Sequence, residues 1–140
     1  MVIDASAALA WLLETQATPA AIRFLEQRGT ADRRWEAPFV FAWEVDNTLL
    51  RLARAERLSA QAYDTARSQL DVYRIRLGAP FGADHVVGLA QASGLSLFDA
   101  AYLDHALENG CELASRDHDL LAAASRCGVT VHDLSAEDEA

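Results

Sequence analysis

Four carboxylates in this chain stand where apolar runs meet helical ones, and together they could hold a divalent cation. Asp4 follows the apolar pair Val2-Ile3 directly. Asp117 comes just after a second apolar run, in Ser115-Arg116-Asp117, with Asp119 as its nearest substitute. Asp99 lies at the mouth of a nearly all-apolar helical stretch, and Glu44 sits among Phe41, Trp43 and Val45. Each has an ordinary alternative. Asp4 (or Ser6) is a natural helix cap, and Asp117 or Asp119 could simply answer a helix dipole. Ser96-x-x-Asp99 has the form of a capping box, and Glu44 with Asn47 could be an exposed polar stripe. Four acids brought together repel one another and raise each other's pKa, unless a cation neutralises them. Hard oxygen donors with open water positions suit Mg²⁺ or Mn²⁺. Such ions make a nucleophile of water near neutral pH and stabilise charge on a phosphate, which is the chemistry of phosphodiester cleavage. His85, His105, His118 and His132 are scattered, so zinc is not indicated, and His118 reads as a surface residue.

The elements that must position these acids alternate in type. A strand at Val2-Ile3 is predicted to lead by a tight turn into a helix over Ala7–Leu13. Thr18-Pro19 opens a second helix that Gly29 ends. A short strand at Trp35-Glu36-Ala37 stops at Pro38, and a long helix follows from Phe39 to Arg57. Ser59 caps another, with Tyr63, Ala66, Leu70 and Tyr73 at helical spacing. Arg74–Leu77 reads as a strand. Helices follow over Asp84–Ser93, ended by Gly94, and over Leu97–Glu108, ended by Gly110. Cys111–Ala114 is a strand, Asp117–Arg126 a helix closed by Gly128, and Val129–Val131 the last strand. This order favours a parallel sheet covered on both faces, with a helical hairpin around Ser59 on one side. Ligands of such sheets bind beyond the carboxyl ends of the strands, where these acids fall.

The totals bound the function. At 140 residues and 51% apolar, the chain is expected to form one globular domain over residues 1–134, with an acidic, frayed tail over 135–140. No apolar run approaches the length of a membrane span, and the first residues lack the basic and apolar regions of a signal peptide, so a cytoplasmic location is expected. Cys111 and Cys127 are too few for a disulfide framework and read as reduced, packed thiols. The net charge is −9. Ten of the twelve basic residues, all Arg, lie in residues 23–76, and most of the remaining surface would repel a polyanion. A nucleic-acid role must therefore use the Arg-bearing middle and neutralise the acids. A phosphatase of the haloacid-dehalogenase type would want a second Asp where Ser6 stands. A receiver-like phosphoacceptor would want a Lys, and the chain has none.

Four segments, in order, resemble the PIN domain, and within it the VapC toxins of bacterial toxin–antitoxin pairs. They are Val2-Ile3-Asp4-Ala5-Ser6, Glu44-Val45-Asp46-Asn47, Leu95–Leu103 and Leu113–Leu120. The resemblance runs from Val2 to about Leu134. It implies a five-stranded parallel sheet flanked by helices and a Mg²⁺- or Mn²⁺-dependent endoribonuclease. By matched position, Asp4, Glu44, Asp99 and Asp117 would form the acidic site. Ser6 and Ser115 would position ligands or waters, and Asn47 would support Glu44. It further implies a homodimer and a cognate VapB-like antitoxin that places a basic side chain in the acidic site. A PIN scaffold acting only by partner binding, or a PIN nuclease of RNA maturation, is the alternative.

Overall fold

The computed structural model describes residues 1–29 and 34–136, so the predicted frayed tail falls largely outside the described residues. Five strands form one wholly parallel sheet: β1 (Val2–Ile3), β2 (Glu36–Ala37), β3 (Arg76–Leu77), β4 (Leu113–Ser115) and β5 (Val131–Asp133). Their spatial order is β3-β2-β1-β4-β5. Seven helices flank the sheet among the described residues: α1 (Ala5–Leu12), α2 (Pro19–Arg28), α3 (Val40–Arg54), α4 (Ala60–Val72), α5 (Asp84–Ser93), α6 (Leu97–Asn109) and α7 (His118–Arg126). The chain winds outward from β1 to β3 on one side, then returns to place β4 and β5 on the other. The reversal lies between β1 and β4, and a doubly wound sheet opens its ligand crevice at that point, beyond the strands' carboxyl ends.

The strands are short, and burial rather than length holds them. Val2, Ile3, Leu113 and Ala114 are fully buried between the helical layers. Full burial of side chains such as Ile3 or Leu113 stabilises the fold by roughly 1.5–3 kcal/mol each. Under α1 and α2, Trp11 stacks on Trp35 with ring centroids 4.7 Å apart and meets Tyr73 edge-on, while its indole N–H donates to Ala21 O at 2.8 Å. This aromatic block fixes α1, and with it the turn that carries Asp4. Ser59 caps α4, and Arg67 of α4 pairs with Asp46 of α3, closing the predicted helical hairpin.

Boundaries differ from the sequence prediction where a backbone group stays bound to the preceding helix. Cys111 N–H still donates to Ala106 O, so β4 starts at Leu113 and extends to Ser115. Val129 N–H donates back to Ala124 O after Gly128 takes φ 84°, which moves β5 on to Val131–Asp133. Helix α3 ends at Arg54 rather than Arg57 because Glu56 adopts φ 58°. Helix α1 begins at Ala5, two residues earlier than predicted, since Asp4 itself caps it. Of the two free thiols, Cys111 is partly buried but Cys127 is exposed, so only the first is packed. Among the described residues no single helix is long and apolar enough to cross a membrane; α5 and α6 reach that apolarity only together, across a 97° bend.

Candidate metal centre

Asp4 leaves β1 as the N-cap of α1, and Asp117 leaves β4 as the N-cap of α7. Asp99 lies in the first turn of α6, which Ser96 caps. Three helix N-termini thus carry acids at the crevice, and their unpaired N–H groups favour negative charge there. Glu44 comes from the second turn of α3, which follows β2. The capping roles are real: Asp4 Oδ1 accepts from Ala7 N at 2.9 Å, and Asp117 Oδ1 accepts from the N–H groups of Asp119 and Leu120. Capping does not isolate these carboxylates, because the charge of Asp117 acts on Asp4 and Asp99, and that of Asp4 on Glu44 and Asp99.

Two serines hold Asp4 rigidly. Ser6 donates to Oδ1 at 2.7 Å and Ser115 donates to Oδ2 at 2.5 Å. Each hydroxyl has only one proton, and both protons are directed at Asp4. Their lone pairs accept backbone N–H groups, Arg116 N on Ser6 and Asp117 N on Ser115. Oδ1 is saturated by two donors, whereas Oδ2 keeps one acceptor position. Ser6 and Ser115 therefore work by orienting this carboxylate across the β1–β4 seam.

The electrostatics connect all four acids. Asp4 is 4% exposed; burial pushes its pKa up, Asp117's charge adds to this, and the hydrogen bonds from Ser115, Ala7 and Ser6 oppose it. Glu44 is raised by burial and by Asp4. Asp99 is raised to about 6, first by burial and then by Asp117, Glu44 and Asp4 in turn. Asp119 is exposed, and it is the charge of Asp117 that acts on Asp4 and Asp99.

Asn47 lines the same groove as Glu44, but no hydrogen bond joins them among the described residues. The near neighbour of Glu44 is instead Tyr102, which sequence reasoning treated only as an apolar helix residue. Its position three residues after Asp99, on the same helix face, was the available signal. The phenol lies close enough to favour the ionised form of Glu44, yet neither Tyr102 Oη nor Glu44 Oε1 reaches hydrogen-bond geometry, and both are shielded from water. We read this as close approach without a formed bond. Arg116, also unflagged by the sequence, donates to Ser6 O, Gln16 O and Gln16 Oε1, and to none of the four carboxylates. It feels the charge of Asp4 without pairing with it.

These residues suit a divalent cation. A buried carboxylate oxygen with no donor, as at Glu44 Oε1, is costly unless something cationic or protic completes it. Asp4 Oδ2 retains a free position, the charge of Asp4 acts on Glu44, and the whole donor set is hard oxygen. Among the described residues, the group of three ligand side chains whose ligand atoms already lie within 4.8 Å of one another is not this set but His85, Asp104 and Glu108, which is partly exposed and internally paired. His118 is exposed and bonds Ser135, as a surface residue would.

A groove of about 850 Å³ runs beside Glu44 along α3 and the start of α6. The bulk expected to bury Glu44's surroundings does so only in part: Trp43 is 76% exposed and Phe98 54%, while Phe41 and Val45 are buried. Likewise α6 is buried from Ala100 to Leu103 but not at Leu97 and Phe98.

The family model described as the PIN domain matches residues 1–126. The crystal structure of PAE2754 from Pyrobaculum aerophilum is similar, with a TM-score of 0.66 and 22% identity over 93% of this chain and 87% of that one. At that identity the likeness is one of fold. Among curated protein sequences, none matches this chain. A doubly wound parallel sheet, acids gathered at its topological reversal and a family match over most of the length have one reading: this chain belongs to the PIN-domain family, whose members are generally metal-dependent nucleases.

Proposed function

We propose that this chain is an endoribonuclease that hydrolyses RNA phosphodiesters with Mg²⁺ or Mn²⁺, and that it is the VapC-like toxin of a toxin–antitoxin pair. The observation that carries the reading is the coupled set Asp4, Glu44, Asp99 and Asp117, buried or half-buried at the sheet's reversal with no Arg partner bonded to it among the described residues. In this reading Asp4, Glu44, Asp99 and Asp117 hold the metal. A bound ion would supply an activated water and charge stabilisation at the phosphate. Asp4 is held in one orientation by Ser6 and Ser115, so its free acceptor position needs no reorganisation. Glu44 offers its unpartnered oxygen, Oε1. Asp99, raised to about 6, is an acid whose protonation would respond to a cation arriving near neutral pH.

The toxin assignment rests on the four matched segments. A VapB-like antitoxin that delivers a basic side chain to these acids would compete with the cation for the same charge. A homodimer and a cytoplasmic location complete the proposal. Incubating the purified protein with a panel of RNAs under Mn²⁺, Mg²⁺ or chelator, followed by mapping of the new ends, tests the activity. Internal cuts that need metal and vanish in Asp4→Asn are expected. Full cleavage in chelator, or by that variant, would remove the assignment. Induced expression tests the toxin role: growth arrest that Asp4→Asn relieves is expected, and unhindered growth counts against it.

A further inference from the structure

Asp4 has two hydroxyls aimed at it, whereas Glu44, on a longer side chain, keeps a buried oxygen with no donor at all. One hydroxyl nevertheless stands beside it. Tyr102 is 1% exposed, and its phenol lies close enough to Glu44 for each group to act on the other. The same phenol oxygen feels the N–H of Ala5, at the start of α1, and the charge of Asp4. Helix α6 thus brings one phenol both to the exit of β1 and to the acid of α3. We infer that Tyr102 is a positioning residue, whose O–H donates to the Glu44 carboxylate and holds it for the divalent cation. This rests on the metal-site reading above.

A packing role alone does not account for the hydroxyl. Phe would fill the same buried space on α6, and an interior phenol oxygen without a partner carries a desolvation cost that Phe does not. Glu44 Oε1 is shielded from water in the same way, so solvent completes neither group. A phenol has one proton to give and a carboxylate can only accept, so each is the partner the other lacks. Arg116 is bonded to Ser6 and Gln16, and Asn47 does not reach Glu44 Oε1. Burial and the charge of Glu44 keep the phenol protonated, which is the state that donates. Without this bond, Glu44 would give up its side-chain freedom each time a cation bound. Partners that orient a metal ligand in this way commonly carry about tenfold or more in metal affinity. Tyr102 touches neither cation nor substrate in this scheme and works through Glu44.

The test titrates Mn²⁺ by calorimetry into four full-length proteins: the wild type, Tyr102→Phe, Glu44→Ala and the double variant. Thermal unfolding in chelator checks that each is folded. Tyr102→Phe should bind Mn²⁺ roughly tenfold more weakly while still unfolding cooperatively. In the Glu44→Ala background the same change should alter Mn²⁺ affinity by less than about twofold, because the group through which it acts is gone. Tyr102→Met, which also lacks a donor, repeats the comparison should Tyr102→Phe fail to fold. Unchanged Mn²⁺ affinity in Tyr102→Phe would overturn the inference and leave Tyr102 a packing residue. An equal loss in both backgrounds would overturn it too, since Tyr102 would then act without Glu44. A wild type that binds no Mn²⁺ would instead overturn the metal-site reading itself.

Discussion

Two acidic clusters in this molecule look alike in composition and differ in how their charge is answered. At the rim of β1 and β4, burial is the leading cause of the raised pKa values of Asp4, Glu44 and Asp99, and the charge of Asp117 adds to those of Asp4 and Asp99. On the surface of α5 and α6, His85 lies 3.1 Å from both Asp104 and Glu108. The surface cluster carries its own basic partner and is open to water, which screens whatever charge remains. The rim cluster has neither advantage. Its donors are hydroxyls and backbone N–H groups that orient Asp4 without cancelling charge. The rim acids are shielded from water without a bonded cation and are the proposed metal site, whereas the surface acids are supplied with their own His.

The comparison breaks first on activity. Asp4→Asn keeps a side-chain oxygen to cap α1 but removes the charge, and metal-dependent RNA cleavage should fall by at least about a hundredfold. His85→Ala should change it by less than about twofold. Single-turnover rates on one RNA decide both. If the two variants lose activity alike, the clusters do not differ as described.

Stability against pH sharpens the contrast next. Asp99 ionises near 6 in the folded chain against an ordinary value of 3.8, so the native state holds the extra proton between these values. Stability from this group is therefore greatest below about pH 4 and is lost as pH rises to 6. A divalent cation offsets that loss, so Mn²⁺ should raise Tm more at pH 7.5 than at pH 5. Asp99→Asn should raise the metal-free Tm at pH 7.5 by roughly a few degrees and blunt the response to Mn²⁺. Thermal scans in chelator and in metal give both numbers, and an equal Mn²⁺ shift at the two pH values would contradict the scheme.

Smaller effects follow away from the rim. Replacing Arg51 and Arg54 together should weaken RNA binding and flatten its dependence on log salt by roughly 0.7–1.4, one or two phosphate contacts on a single strand. An unchanged slope would mean that this end of α3 does not meet the backbone. His85→Ala should cost less than about 1 kcal/mol of stability, as expected for an exposed ion pair. A larger loss in a denaturant titration would show that the surface cluster matters more to the fold than its exposure suggests.

Much of this was legible in the sequence because the site uses short-range geometry. Asp4 directly after Val2-Ile3 could only stand at a strand's carboxyl end, and Ser96 before an apolar run marked the helix that carries Asp99. The parallel sheet followed from strands separated by helices, even though the hairpin around Ser59 breaks strict alternation, and Gly94 and Gly110 ended their helices in the left-handed conformation, as glycine allows. What stayed hidden depends on tertiary contact. Tyr102 reads as one more large residue on a buried helix until α3 is packed against α6. Asn47 shares a helix face with Glu44 in sequence, yet the bond expected between them is absent among the described residues, and the phenol from another helix takes the neighbouring place. The exposure of Trp43 was masked by its buried neighbours Phe41 and Val45. Arg116 carried no signal in the sequence, because its fork is bound through tertiary contacts to carbonyl groups of Ser6 and Gln16.

Calorimetric titration of Mn²⁺ into the wild type, Asp99→Asn and His85→Ala compares the two clusters directly in one quantity. The account predicts that wild type and His85→Ala bind Mn²⁺ alike, while Asp99→Asn binds it at least about tenfold more weakly. Binding that survives Asp99→Asn and disappears with His85→Ala would place the cation on α5 and α6 and contradict it.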